Sequence, residues 1–377
     1  MSSSTFPADV GHRIRKARRI RGLSLRTTAE LAGFSPGFLS MVENGTRTLD
    51  RLSHISALAD ALRVAPGDLL GTSLPSTSPH WDTAVRELRI TLLAASSSVR
   101  PNETSPELTR AVDDASYLMN HGEYLILLQR LPSLVDRCTD LRQLLRLYHS
   151  VCVPMLLDIG LLDLAAFVVE LARTHAEVLG DPVEDAVNTL WRSKTCTRAG
   201  AWTDAAAMAE RALAELSGSP AVRGRLHLAA AQAEVHFDHT TAFSHLAEAD
   251  RLARSAAPEA SAALPFTPAL VHFHRMLRLY DVGRFDQIIA AADAPHDVTN
   301  RMYAAGIQLM VGCSYARVSG QATRAVTHLQ RAERIAPLPT RVDVHTRQAV
   351  SSLLSASPGG STARELRGIA HRIGLRA

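Results

Sequence analysis

Five glycines that recur along the larger, C-terminal part of the chain constrain its fold more than any other feature. They follow one another at intervals of 38, 40, 83 and 37 residues, at Gly122, Gly160, Gly200, Gly283 and Gly320. Amphipathic helical segments fill the intervals, and no run has the strict alternation of a β-strand. A glycine turn between two helices, repeated at a nearly fixed period, predicts an all-α solenoid of stacked helix pairs.

The residues that follow these glycines resemble the tetratricopeptide repeat, whose second helix begins with the pattern G-x-aromatic-x-x-A. The matching bulky and alanine positions are Tyr124, Leu162, Trp202, Phe285, Ala165, Ala205 and Ala325. The resemblance covers residues 104–377, with about six or seven helix pairs, and one repeat near 236–243 lacks its glycine. The family resemblance implies a superhelix with a concave groove that binds a partner.

The first 71 residues carry the whole net charge of +4. They hold ten Lys and Arg against six Asp and Glu, whereas the remaining residues are balanced. Six of the ten basic residues lie within the nine-residue window 13–21. This placement favours a polyanionic partner for the N-terminal segment.

The same segment has the pattern of five short helices, predicted near 9–21, 24–32, 35–43, 51–63 and 66–70. Ser24 and Ser35 are the expected N-caps of the second and third helices, with Pro36 at the first position of the third. Gly33 is expected to end the second helix in a left-handed conformation.

Ala29, Gly33, Leu39 and Val42 have the spacing of two helices that cross at a tight turn. Over about residues 11–70 the sequence resembles the helix-turn-helix of the Cro/C1-type (XRE) phage repressor family. The resemblance implies a five-helix bundle whose third helix enters the DNA major groove. It also implies a partly buried ion pair between Arg18 and Glu43.

The resemblance places the base-reading positions at Pro36, Gly37 and Met41, with Ser35, Phe38 and Ser40 nearby. None of these is Arg, Gln or Asn, so bidentate contacts to bases are unavailable, and thymine-methyl contacts or DNA shape are expected to carry specificity. Phosphate contacts are expected at the N-termini of the second and third helices. The residues assigned to them and to the adjacent minor groove are Ser24, Arg26, Asn44, Arg47 and Arg51.

The composition of residues 71–80, GTSLPSTSPH, predicts an extended hinge between two domains. We therefore expect a DNA-binding domain at 1–71, a linker at 72–103 and a repeat domain at 104–377 for sensing and dimerisation. The linker includes an amphipathic helix at 81–94, whose apolar positions are Trp81, Val85, Leu88 and Leu92. Packing on the following domain is favoured over a dimer contact, because two heptads are too few for a coiled coil.

A Cro/C1-type domain joined to tetratricopeptide-like repeats resembles the bacterial peptide-pheromone-sensing regulators used in quorum sensing. The resemblance implies a homodimeric transcriptional regulator that binds double-stranded operator DNA, with a short signalling peptide as effector in the groove. If the first helices of the repeats line that groove, the candidate effector-binding residues are Tyr117, Asn120, Tyr148, Asn188, Trp191, His274, Asn300 and Tyr303.

Three other functions fit the same architecture: a protein-interaction adaptor, an antitoxin-like DNA binder and a regulator that senses a small molecule. The sequence carries no nucleophile, P-loop or dinucleotide motif, so no enzymatic activity and no cofactor are expected. The histidines have irregular spacing and the four cysteines have no CxxC pattern, so no metal site is expected. No membrane span or signal peptide is recognised, which favours the cytoplasm.

Overall fold

The computed structural model describes residues 5–47, 49, 52–62, 69, 79–95, 106–138, 140–255, 264–292, 300–356 and 359–375. Every regular element within these ranges is helical, which confirms the predicted all-α class. None of these helices has the length and apolar character needed to cross a membrane. The chain divides into two compact units, one of Met1–Thr77 with Arg347–Ala377 and one of Ser78–Thr346.

The N-terminal part of the first unit contains four described helices that match four of the five predicted ones. They are α1 Thr5–Ile20, α2 Leu25–Leu31, α3 Pro36–Glu43 and α4 Leu52–Leu62. The predicted fifth helix lies outside the described residues except for Leu69, which is helical and 1% exposed. Apolar side chains from all four helices close one core, including Ile14, Ala29, Leu39, Val42 and Leu58.

The two predicted caps fix where α2 and α3 begin. The Ser24 hydroxyl accepts a hydrogen bond from the backbone N–H of Thr27 at 3.0 Å. The Ser35 hydroxyl accepts one from the N–H of Phe38 at 3.2 Å. Between the helices Gly33 has φ of +73°, a conformation that other residues adopt at a cost. The turn that separates the two helices is therefore encoded locally.

Helix α5, Pro79–Ala95, begins the second unit and buries its apolar seam. Of the predicted apolar positions, Trp81, Leu88 and Leu92 are at most 6% exposed, whereas Val85 is only partly buried. The helix packs against the helix Tyr124–Arg137. The expectation that this segment packs on the repeats agrees with these contacts.

Six successive helix pairs make up the body of the second unit. The first three are α6 Pro106–Asn120 with α7 Tyr124–Arg137; α8 Leu141–Leu147, a π-helical turn Tyr148–Cys152 and α9 Val153–Asp158 with α10 Leu162–Leu179; and α11 Pro182–Ala199 with α12 Trp202–Glu215. The next three are α13 Pro220–Glu234 with α14 His239–Ser255; α15 Pro268–Asp281 with α16 Phe285–Ala290; and α17 Arg301–Tyr315 with α18 Ala322–Ile335.

The five predicted glycine turns set the geometry of these pairs. All five glycines have positive φ, between +71° and +88°. In every case the second helix of the pair begins two residues after the glycine. Ala165, Ala205 and Ala325, which follow three of the turns, are 0% exposed because the partner helix packs against them. The pair without a glycine turns at residues 235–238 instead.

The first and sixth pairs contact each other across about 180 residues of sequence. The side-chain amide of Asn300 donates a hydrogen bond to Asn120 Oδ1 at 3.0 Å. A Cβ at Gly122 would lie 2.8 Å from Pro339 Cγ, and the Tyr124 hydroxyl lies 4.0 Å from Met302 Sδ. The first helix pair therefore contacts the sixth, although four other pairs lie between them in the sequence.

Three further helices follow the sixth pair. After α19 Pro337–Val342, helices α20 Val344–Ser355 and α21 Gly360–Arg372 follow. From Arg347 onward they belong to the same compact unit as Met1–Thr77. The Arg347 guanidinium donates to the carbonyl of Ile373 at 2.8 Å, which joins α20 to the end of the chain. Likewise α5 groups with the repeats, because its seam packs on them.

Replacing Gly160 by alanine tests the role of the glycine turns. The residue has φ of +81°, and no atom would contact an added Cβ within 4 Å, so the cost is purely conformational. We expect Gly160→Ala to lower the free energy of unfolding by about 1–2 kcal/mol, measured by urea denaturation. Gly160→Asn is the matched control and should cost less, because asparagine tolerates the left-handed region. Equal losses for the two variants would contradict this account.

Candidate nucleic-acid interface and inner surface of the repeats

A charged contact holds α3 in its place in the N-terminal bundle. The Arg18 guanidinium of α1 donates from Nε and Nη2 to the two Glu43 carboxylate oxygens, at 2.7 and 2.8 Å. The Glu43 side chain is 2% exposed, and Arg15 Nε lies 3.7 Å from it. The hydrogen bonds with Glu43 raise the pKa of Arg18. The predicted ion pair is present, and its bidentate geometry fixes the end of α3 against α1.

The opposite side of α3 faces solvent. Pro36 and Gly37 in its first turn and Asn44 at its end are exposed, and Met41 is 41% exposed. Ser40 is half-buried, whereas Leu39 and Val42 point into the core. The predicted base-reading positions thus form one accessible face, two helical turns long.

Phe38 has a packing role that the sequence does not reveal. Its ring lies 5.0 Å from the ring of Phe34 and also contacts His54. The Arg47 guanidinium lies 5.0 Å above the same ring. Phe38 is therefore partly buried between the α2–α3 turn, α4 and an arginine, and it contributes less free apolar surface than Met41.

The remaining predicted DNA-binding residues lie around this face. Ser24, Arg26, Ser35 and Arg47 are all exposed. Arg26 Nε donates to Glu30 at 2.9 Å in a solvent-exposed pair that a phosphate can replace. Arg51 lies outside the described residues.

A second group of charged side chains faces the inner surface of the repeats. Lys194, Arg198, Arg225 and Arg278 lie on the first helices of the third, fourth and fifth pairs, and we call them the inner basic cluster. They are close enough to act on one another, because Arg225, Arg198 and Arg278 each lower the pKa of Lys194. Since α11, α13 and α15 are successive first helices, the cluster marks the surface that these helices share.

The cluster is only partly neutralised. Burial, followed by the charge of Arg225, lowers the pKa of Lys194 to about 7, against an attraction from Asp158. Among the described residues no carboxylate lies within ion-pair distance of the Lys194 ammonium, which instead lies 5.0 Å above the Trp191 ring. Arg278 pairs with Asp281 at 2.7 Å, but its Nη1 is buried with no partner in the described part of the chain. Positive charge held without counter-charge is costly and is relieved by a bound anion.

His274 and Tyr303 belong to the same surface. Burial, and then the charges of Lys194, Arg278 and Arg225, hold the pKa of His274 well below its ordinary value. The His274 ring is therefore neutral near pH 7, with Nδ1 buried and unpartnered among the described residues. Tyr303 interacts with the Arg225 guanidinium, which also donates from Nε to the carbonyl of Pro265 at 3.1 Å.

The other predicted effector residues are distributed among different environments. Asn120 and Asn300 lie where the first pair meets the sixth, and Trp191 lies beneath Lys194. Tyr148 and Asn188 are at most 3% exposed and pack against His175 and His149, respectively. Tyr117 is 61% exposed and stacks on His121. The structure brings Trp191, His274 and Tyr303 together with the inner basic cluster.

Sequence reasoning missed the four cations of this cluster. A usable signal was present, because Lys194 with Arg198 and His274 with Arg278 are spaced i, i+4 on otherwise largely apolar helices. Arg225, in contrast, has no such partner, and only the fold places it beside the others.

Comparison with known proteins gives a match over part of the chain. Residues 9–71 match the family described as Helix-turn-helix domain. No curated protein matches the chain. Among solved structures the chain is similar to the apo form of the competence regulator ComR from Streptococcus vestibularis, with 12% identity and a TM-score of 0.19, over 98% of this chain and 100% of that one. At that TM-score the similarity supports no inference about this chain.

The Arg18–Glu43 pair generates a stability prediction. Glu43→Gln leaves a largely buried guanidinium without its counter-charge, so we expect a loss of about 3 kcal/mol in the free energy of unfolding. The measurement is urea denaturation of the full chain, followed by circular dichroism. Glu30→Gln is the control, because its pair with Arg26 is exposed and should contribute less than about 1 kcal/mol. A loss for Glu43→Gln as small as that for Glu30→Gln would refute the anchoring role.

Proposed function

We propose that the protein is a DNA-binding transcriptional regulator whose repeat unit binds an effector. The observation that carries the proposal is the exposed face of α3, held from behind by the Arg18–Glu43 pair, in a segment that matches helix-turn-helix domains. In such domains the second helix of the motif lies in the major groove of DNA.

The phosphate contacts of this proposal come from helix N-termini and two arginines. The first N–H groups of α2 and α3 point away from their helices, and only one in each is used by a serine cap. Such N-termini favour negative charge. Arg26 and Arg47 are exposed next to them. Together they would position the domain along the DNA backbone without reading its sequence.

Base readout in this proposal differs from that of repressors that use glutamine or arginine on the same helix. The accessible α3 face presents Pro36, Gly37 and the thioether of Met41. The side chains of Pro36 and Met41 would make apolar contacts to thymine methyl groups. They cannot form the bidentate hydrogen bonds that discriminate most strongly between bases. Sequence-dependent DNA shape is then the larger source of specificity.

For the effector we propose an anionic ligand on the inner basic cluster. Lys194 and Arg278 hold donors without full counter-charge. The buried Trp191 ring lies beneath Lys194, and Tyr303 contacts Arg225 of the same cluster. This set fits a carboxylate next to an apolar group, as at the end of a short peptide or in an organic acid. To regulate DNA binding, the ligand must bind one conformation of the protein better than another. Homodimerisation remains a prediction from the sequence resemblance.

The DNA-binding half is tested by salt dependence. Arg47→Ala and Arg26→Ala should each reduce the slope of log affinity against log salt by about 0.9 on duplex DNA. The expected reason is the loss of one phosphate contact and its released counterion. The measurement is fluorescence anisotropy with a labelled duplex from upstream of the gene, between low and moderate salt.

Arg211→Ala, which removes an exposed arginine of the repeat unit, is the matched control and should leave the slope unchanged. If Arg47→Ala and Arg211→Ala give the same slope as the unaltered protein, the assignment of phosphate contacts is wrong.

The effector half is tested with Lys194→Met. Above pH 7 the folded chain releases the Lys194 proton, whereas the unfolded chain keeps it up to about pH 10. Protonated Lys194 therefore opposes folding, and the free energy of unfolding rises with pH between about 7 and 10. We therefore expect the variant to have a higher unfolding temperature at pH 7 than the unaltered protein. We also expect it to lose binding of short peptides with free carboxyl termini, measured by native mass spectrometry.

Two comparisons make this result specific. The same peptides with amidated carboxyl termini should bind the unaltered protein more weakly, and Arg192→Met, on the same helix but outside the cluster, should bind like the unaltered protein. Equal binding of both peptide pools would refute the anionic effector and leave the DNA-binding proposal intact.

A further inference from the structure

Three helices of the repeat unit bring together two carboxylates and one imidazole. Glu210 comes from α12, Glu234 from the last residue of α13, and His245 from α14. One potential ligand atom of each residue lies within 4.8 Å of the others. His245 Nε2 is 3.4 Å from Glu234 Oε2. None of these residues belongs to the inner basic cluster or to the DNA-binding face.

Glu234 is the unusual member of the group. It is 2% exposed, and its Oε2 has no hydrogen-bond partner among the described residues. The Glu210 carboxyl lies close enough to share a hydrogen bond with the Glu234 carboxyl. A buried carboxylate with an unused oxygen is costly unless a cation or proton is bound to it.

A second histidine, His227, orients the His245 ring so that its Nε2 can coordinate a metal ion. The Nδ1 of His245 lies 2.7 Å from Nδ1 of His227, a distance that requires one ring to donate and the other to accept. When His245 donates from Nδ1, its Nε2 carries a lone pair directed toward the two carboxylates.

We propose that Glu210, Glu234 and His245 bind one divalent transition-metal ion of the Zn²⁺ type, and that His227 orients the His245 ring. One imidazole with two carboxylates suits zinc and its neighbours better than Mg²⁺ or Ca²⁺, which prefer oxygen ligands alone. Three protein ligands leave a further position for water, and the exposure of Glu210 gives the ion a path from solvent. A histidine that hydrogen-bonds through its other nitrogen is the usual arrangement around bound zinc.

The ion would join two neighbouring repeats. Glu210 belongs to the second helix of the third pair, whereas Glu234 and His245 belong to the fourth pair. This pair is the one that lacks a glycine in its turn, at residues 235–238 directly after Glu234. Coordination would fix the end of α13 against α12 and α14 at that turn. The proposal is independent of the proposed function.

The test uses the full chain after treatment with a chelator and dialysis. Zn²⁺ is titrated in competition with a chromophoric chelator, and Co²⁺ is added separately as a spectroscopic probe. We expect one Zn²⁺ site that Mg²⁺ does not occupy, and visible Co²⁺ absorption bands. Glu234→Gln and His245→Ala should abolish this site, and His227→Ala should weaken it about 10–100-fold, as expected for an orienting residue.

His239→Ala is the matched control, because His239 is an exposed histidine on the same helix as His245. It should bind Zn²⁺ like the unaltered protein. Zn²⁺ should also raise the unfolding temperature of the unaltered protein and of His239→Ala but not of Glu234→Gln. Since Glu234→Gln conserves the shape of the side chain, it decides the result if His245→Ala fails to fold. Equal Zn²⁺ affinity of Glu234→Gln and the unaltered protein would overturn the proposal, as would loss of binding in His239→Ala.

Discussion

Five of the six described helix pairs depend on one backbone constraint, a residue held in the left-handed region between the two helices. Glycine meets this constraint at Gly122, Gly160, Gly200, Gly283 and Gly320, because it has no Cβ to clash with the neighbouring carbonyl. Each turn makes the second helix begin two residues later and places small residues such as Ala205 at the crossing. A single pair buries too little apolar surface to persist alone, so its neighbours are part of its stability.

Much of the fold could be predicted from the sequence because its determinants are local. Ser24, Ser35 and Gly33 specify the boundaries of α2 and α3 through hydrogen bonds and a φ angle within a few residues. The Arg18–Glu43 pair followed from a family resemblance, not from spacing, since the partners are 25 residues apart. Phe38 shows the limit of this reasoning, because its exposure depends on Phe34 and on Arg47 above its ring.

The candidate sites of the repeat unit could not be predicted from the sequence, because their residues come from different helices and meet only in the folded chain. Lys194, Arg225 and Arg278 influence one another only because three first helices share an inner surface. Glu210, Glu234 and His245 likewise converge from three helices, and the irregular spacing of the histidines argued against any metal site. A periodic sequence predicts which faces are apolar, but the meeting of polar side chains depends on the angle between successive pairs.

The contact between Asn120 and Asn300 couples the angles between successive helix pairs to one another. Because the first pair touches the sixth, a small rotation at any one of the intervening interfaces changes the distance between Gly122 and Pro339. No repeat can therefore change its tilt by itself without opening this seam or being compensated by another repeat. Small displacements at several interfaces therefore add together at the contact between the first and sixth pairs.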